Sequence, residues 1–149
     1  MNFVNLERKE YMNKTNEEIL NDNKFDVAVD FDGVIHKYTS GFSGVENILD
    51  TPVSGAIDVL KEYLQILKVA IFSTRASTPE GIEAIKVWLL KYGMTEKEIE
   101  SLTITNIKIH ANLYVDDRAW HFDGRFPSIK YIKGFKPWNK MFTFWAPRC

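Results

Sequence analysis

Apolar and polar positions change their period several times along the chain, and each change marks an element. Phe25-Asp26-Val27-Ala28-Val29-Asp30 is a β-branched, apolar run ending in acids and Gly33, the pattern of a buried strand feeding a loop. Residues 34–51 carry Thr39, Ser40, Gly41, Ser43 and Gly44, with too few apolar positions for a domain, and predict a flap. Pro52 opens a helical pattern in which Ala56, Ile57, Val59, Leu60, Tyr63 and Leu64 share a face, running to about Gln65.

Lys68-Val69-Ala70-Ile71-Phe72 predicts a second buried strand, ended by Ser73-Thr74-Arg75. Pro79 begins an amphipathic helix through Ile82, Ile85, Val87, Trp88 and Leu89 to Gly93. Thr95 and Glu98 have capping-box spacing, and Leu102-Thr103-Ile104 predicts a short third strand. Ala111 to Val115 is another strand ending in acids, Asp116-Asp117, and Ser128 to Ile132 predicts an edge strand. Strands alternating with helices give an α/β domain with a mostly parallel central sheet. That domain covers 25–149 and includes an aromatic tail with Phe135, Trp138, Phe142, Phe144 and Trp145. Residues 1–24 are rich in Asn, Glu and Lys and form an appendage with at most a short helix from Thr15 to Leu20.

Composition narrows the class. A hydrophobic share of 45% and a charged share of 26% are those of a globular chain, and 149 residues suffice for one domain. The net charge of -1 provides no overall field toward nucleic acid or membrane. Cys149 is the single cysteine, which excludes an internal disulfide and a cysteine metal site. With no signal-peptide pattern and no run of about 20 apolar residues, the expected compartment is the cytoplasm. His36, His110 and His121 lack ligand spacing, so zinc is not expected; His36 reads as a surface residue or as lining the mouth of a site.

In an open parallel sheet, ligands bind beyond the carboxyl ends of the strands. Three predicted strand ends carry chemically useful groups: Asp30-Phe31-Asp32, Ser73-Thr74-Arg75 and Asp116-Asp117. Asp30 and Asp32 reach one crevice only if the backbone bends between strand and loop, which Gly33 permits. Four carboxylates gathered there repel one another and call for a cation, and hard oxygen ligands suit Mg²⁺. A carboxylate attacking phosphorus needs the phosphoryl charge neutralised; the Ser73 hydroxyl and the Lys108 ammonium are the candidates.

VDFDG at Val29 to Gly33, IFSTR at Ile71 to Arg75, Lys108, and LYVDDRA at Leu113 to Ala119 resemble, in order, the four motifs of the haloacid dehalogenase superfamily. The resemblance spans Phe25 to about Pro127 and implies a three-layer, Rossmann-like phosphatase domain. It implies that Asp30 is the nucleophile forming an aspartyl-phosphate, and that Asp32 protonates the leaving group and then activates water. Ser73 and Lys108 would hold phosphoryl oxygens, with Gly33, Thr74 and Arg75 beside the substrate. Mg²⁺ would bind Asp30, the backbone carbonyl of Asp32, Asp117 directly and Asp116 through water. Arg75 and Arg118, read on their own, favour pairing with nearby acids.

The gaps after the first and second motifs are too short for a substantial cap, which is similar to the capless branch of bacteria and their phages. The implied substrates are phosphate monoesters, including nucleotides and phosphorylated nucleic-acid ends. Lys130, Lys133, Lys136, Lys140 and Arg148 with Tyr131, Trp138 and Trp145 suit a nucleic-acid strand, but docking of the rings on the domain is the favoured reading. Two rival functions stand beside hydrolysis: a receiver-like phosphoacceptor, whose acid order along the chain differs, and a catalytically silent scaffold.

Overall fold

The computed structural model describes residues 24–140. Its frame is a four-stranded, all-parallel sheet in the order β3-β2-β1-β4, formed by β1 (Phe25–Asp30), β2 (Val69–Phe72), β3 (Thr103–Thr105) and β4 (Ala111–Val115). The chain is an α/β domain of the Rossmann-like kind with no large cap. β1 is central because it is apolar on both faces, as a strand covered on two sides must be. Among the described residues, no helix is long and apolar enough to cross a membrane.

One face of the sheet carries most of the core. Val27, Val29, Val69 and Ile71 pack against Leu60 of helix α1 (Ala56–Ile66) and Ile85, Trp88 and Leu89 of helix α2 (Pro79–Lys91). Ile99 of the short helix α3 (Glu96–Glu100) and Leu102 complete it. Burying each such side chain contributes roughly 1.5–3 kcal/mol, so this layer supplies much of the driving force. Ala28 and Ala70 face the other way and join Phe25 and Ile109 in a smaller cluster, with Phe72 and Tyr114 packed against it.

Helix starts follow local chemistry. Thr78 caps α2, its side chain accepting the Gly81 N–H, and Pro79 takes the first turn. Thr95 and Glu98 form the complete capping box at α3. The expected start of α1 at Pro52 is corrected to Ala56. Lys37 N–H donates to Thr51 O at 3.0 Å and Val53 N–H to Ile35 O at 2.8 Å, so Pro52 lies in an extended segment tied to the flap. Gly55, at φ 79°, then turns the chain into the helix.

The expected edge strand at Ser128 to Ile132 is also corrected: it is helix α4 (Ile129–Gly134). Ser128 accepts the Tyr131 N–H and so nucleates a helical turn. The apolar positions Ile129, Tyr131 and Ile132 do not alternate, and that break in period outweighs the β-branched residues. A final 3-10 turn, Trp138–Lys140, fastens the tail to the flap: Asn139 Nδ2 donates to Lys37 O at 2.9 Å and Lys140 Nζ to Thr39 O at 3.3 Å. The expected helix at Thr15 to Leu20, and Phe142, Phe144, Trp145, Arg148 and Cys149, lie outside the described residues.

Candidate active site

The β-ladder decides which residues surround Asp30. Asp30 pairs with Phe72 on β2, and Val29 with Val115 on β4. Ser73 and Asp116 therefore leave the sheet on either side of Asp30, at the carboxyl edge where a parallel sheet places its ligands. Beyond Asp30 the backbone folds back tightly: Phe31 O accepts the N–H groups of Val34, Ile35 and His36, and Gly33 N–H donates to His36 O at 2.8 Å. Gly33 has φ 88°, and a Cβ there would stand 2.4 Å from Asp117 Oδ2. Only glycine lets the loop lie against that carboxylate.

Oxygens of Asp30, Asp116 and Asp117 all fall within 4.8 Å of one another. Asp30 Oδ1 accepts the Phe31 N–H at 2.8 Å. Burial, with the charge of Asp116 added to it, pushes the Asp30 carboxyl up to about 8. Burial likewise raises the Asp117 carboxyl. Asp117 Oδ1 is buried and has no hydrogen-bond partner. Converging oxygen donors and an orphaned carboxylate oxygen make a group that could hold a metal ion, and oxygen donors suit a hard divalent cation.

The Asp32 carboxylate stands apart from this triad. His36 Nδ1 lies 2.8 Å from Asp32 Oδ1, and Arg75 Nε donates to Oδ2 at 2.7 Å. Arg75 is only 1% exposed. Its Nη1 donates to the carbonyls of Gly44, Val45 and Asn47, anchoring the flap. The pairing with an acid expected for Arg75 is what forms, as a buried latch onto the flap. Arg118 is exposed, and its backbone N–H donates to Asp116 Oδ1 at 2.7 Å.

Ser73 is buried, its Oγ accepting the Arg75 N–H at 3.2 Å, so it caps the 3-10 turn Thr74–Ser77. Its hydroxyl hydrogen is still available to donate. Thr74 is exposed at the start of that turn. Lys108 is exposed, its ammonium 5.7 Å from the centre of the Tyr114 ring. The fold therefore brings Asp30, Gly33, Asp116 and Asp117 together, pairs Asp32 with Arg75, and turns Lys108 toward β4. An open groove of about 580 Å³ lined by Trp120, His121, Asp123, Arg125, Phe126 and Tyr131 contains neither Asp30 nor Asp32, Asp116 or Asp117.

His36 is neither a surface residue nor part of a mouth: it is 1% exposed, stacked on Phe31 and edge-on to Trp88. The available signal was its place directly after Ile35 at the start of the flap, four residues after Asp32. Trp138 was expected to dock on the domain, and its Nε1 donates to Gly33 O at 2.7 Å, beside the acids. No family model matches the chain, and no curated protein or solved structure is significantly similar to it.

Proposed function

We propose that the chain is a magnesium-dependent phosphohydrolase of the haloacid dehalogenase type, acting on phosphate monoesters, nucleotides and phosphorylated nucleic-acid ends among them. The observation that carries this reading is the convergence of Asp30, Asp116 and Asp117 at the carboxyl ends of two adjacent parallel strands. Asp30, Asp116, Asp117 and the Asp32 carbonyl are the groups that would hold the metal. When bound, Mg²⁺ supplies positive charge against the carboxylates and the phosphoryl oxygens.

In the first step an Asp30 oxygen bonds to phosphorus as the bond to the leaving oxygen breaks, and the Asp32 carboxyl gives its proton to that oxygen. In the second, Asp32 takes a proton from water, the resulting hydroxide attacks phosphorus, and Asp30 is released with inorganic phosphate. Ser73 and Lys108 are assigned to the phosphoryl oxygens on the strength of the motif resemblance. With only residues 34–51 as a flap, an open site admits large as well as small phosphate esters.

A phosphatase assay on p-nitrophenyl phosphate, with and without Mg²⁺, tests the proposal. Metal-dependent turnover that disappears in Asp30→Asn is the expected result. A single stoichiometric phosphorylation would indicate a receiver-like module, and no reaction a silent scaffold.

A further inference from the structure

Asp32 is gripped from two sides by groups buried in the domain, and that grip points beyond simple ion pairing. His36 Nε2 accepts the backbone N–H of Asp50 at 3.0 Å. The ring hydrogen therefore sits on Nδ1, which donates to Asp32 Oδ1 at 2.8 Å. Phe31 and Trp88 hold the imidazole plane, with ring centres 5.6 Å and 5.6 Å from it. Arg75 closes the other side, its Nε on Oδ2 and its Nη1 on three flap carbonyls.

We propose that His36 and Arg75 are positioning residues that fix the orientation of the Asp32 carboxyl for proton transfer to the leaving group, and that they tie this orientation to the flap. The inference rests on the phosphohydrolase reading. Each Asp32 oxygen engaged by a donor keeps a second lone pair, so a carboxyl held at both ends can still carry the transferable proton in one fixed direction. Orientation of this kind contributes because a proton passes efficiently only within hydrogen-bond reach of the reacting oxygen. Asp50 sets the imidazole tautomer through its backbone N–H, while its carboxylate, 3.8 Å from His36 Nε2, is held by Ser40 at 2.6 Å and 2.8 Å.

Two side chains separate the two ends of the imidazole. Asn at 36 retains a donor where Nδ1 stands, and Gln retains an acceptor where Nε2 stands. The experiment measures kcat/KM with Mg²⁺ for a series of substituted phenyl phosphates of graded leaving-group basicity, in wild type, His36→Asn and His36→Gln, with melting curves for each. We expect His36→Gln to lose about tenfold or more on the most basic leaving group and much less on p-nitrophenol, which departs without a proton. His36→Asn should keep a dependence close to wild type, even where both variants melt at the same lowered temperature.

An equal loss across the whole series in His36→Gln, or identical dependences in the two variants, overturns the proposal. If His36→Gln does not fold, Arg75→Lys carries the same readout: it keeps the charge and gives up the fixed Nε–H geometry, so an unchanged dependence there overturns it too. A wild type that hydrolyses none of the series rejects the phosphohydrolase reading itself, whereas hydrolysis by the wild type without the leaving-group signature rejects only the positioning roles.

Discussion

Gly33 and Asp117 meet so closely that a single methyl group on the glycine would stand 2.4 Å from the carboxylate oxygen. Two strands far apart in sequence are thus fitted against each other at the acids. Gly33→Ala must both displace Asp117 and adopt φ 88°, a conformation alanine disfavours by about 1 kcal/mol. The expected outcome is a folded but destabilised protein with weakened Mg²⁺ binding and phosphatase activity reduced roughly a hundredfold. Calorimetric Mg²⁺ titration beside the activity assay checks it.

Asp30→Asn should raise the stability of the metal-free protein while abolishing turnover. The Asp30 carboxyl is pushed up to about 8, mainly by burial. Between about pH 4 and that value, the native state holds a proton that the unfolded chain has released, so Asp30's favourable contribution is lost as pH rises through the window. Melting curves at pH 5, 7 and 9 without metal should show the wild type losing stability with rising pH and the variant losing less. Mg²⁺ should restore the wild type at pH 9 and have little effect on the variant.

The same displaced carboxyl implies that cation and proton compete. Mg²⁺ affinity should increase as pH rises toward about 8 and level off above it, as Asp30 sheds its proton. Calorimetry in buffers of different ionisation enthalpy, at pH 7, should detect proton release on binding. Binding without proton release would mean that the ion sits elsewhere.

Trp138→Phe removes the donor to Gly33 O while keeping an aromatic ring in the Trp138–Lys140 turn. Loss of that bond should cost about 1 kcal/mol and lower the melting temperature by on the order of 3 °C. Amide exchange at Gly33 and His36 should accelerate more than at α3, whose capping box is untouched.

Local rules were enough for the parts of the fold built from neighbours. The apolar runs of β1, β2 and β4 and the Thr95–Glu98 box were legible because their causes lie within a few residues. The start of α1 was not, because a bond from Val53 N–H to Ile35 O keeps Pro52 extended. α4 was misread because β-branching weighed more in the pattern than the Ser128 cap. At the site, the acids were legible as strand ends. The interior places of His36 and Arg75 were not, since burial of a polar side chain is decided by partners as distant as Asp50 and the carbonyls of residues 44–47.

The guanidinium of Arg75 hydrogen-bonds residues 44–47 through backbone oxygens alone, and its carbon lies 5.4 Å from the centre of the Phe42 ring. Any side chains that preserve the path of residues 44–47 would be held equally well. Residues 45–47 are therefore a place where this domain can exchange sequence, and with it the surface shown to incoming molecules, without rebuilding the anchor beneath.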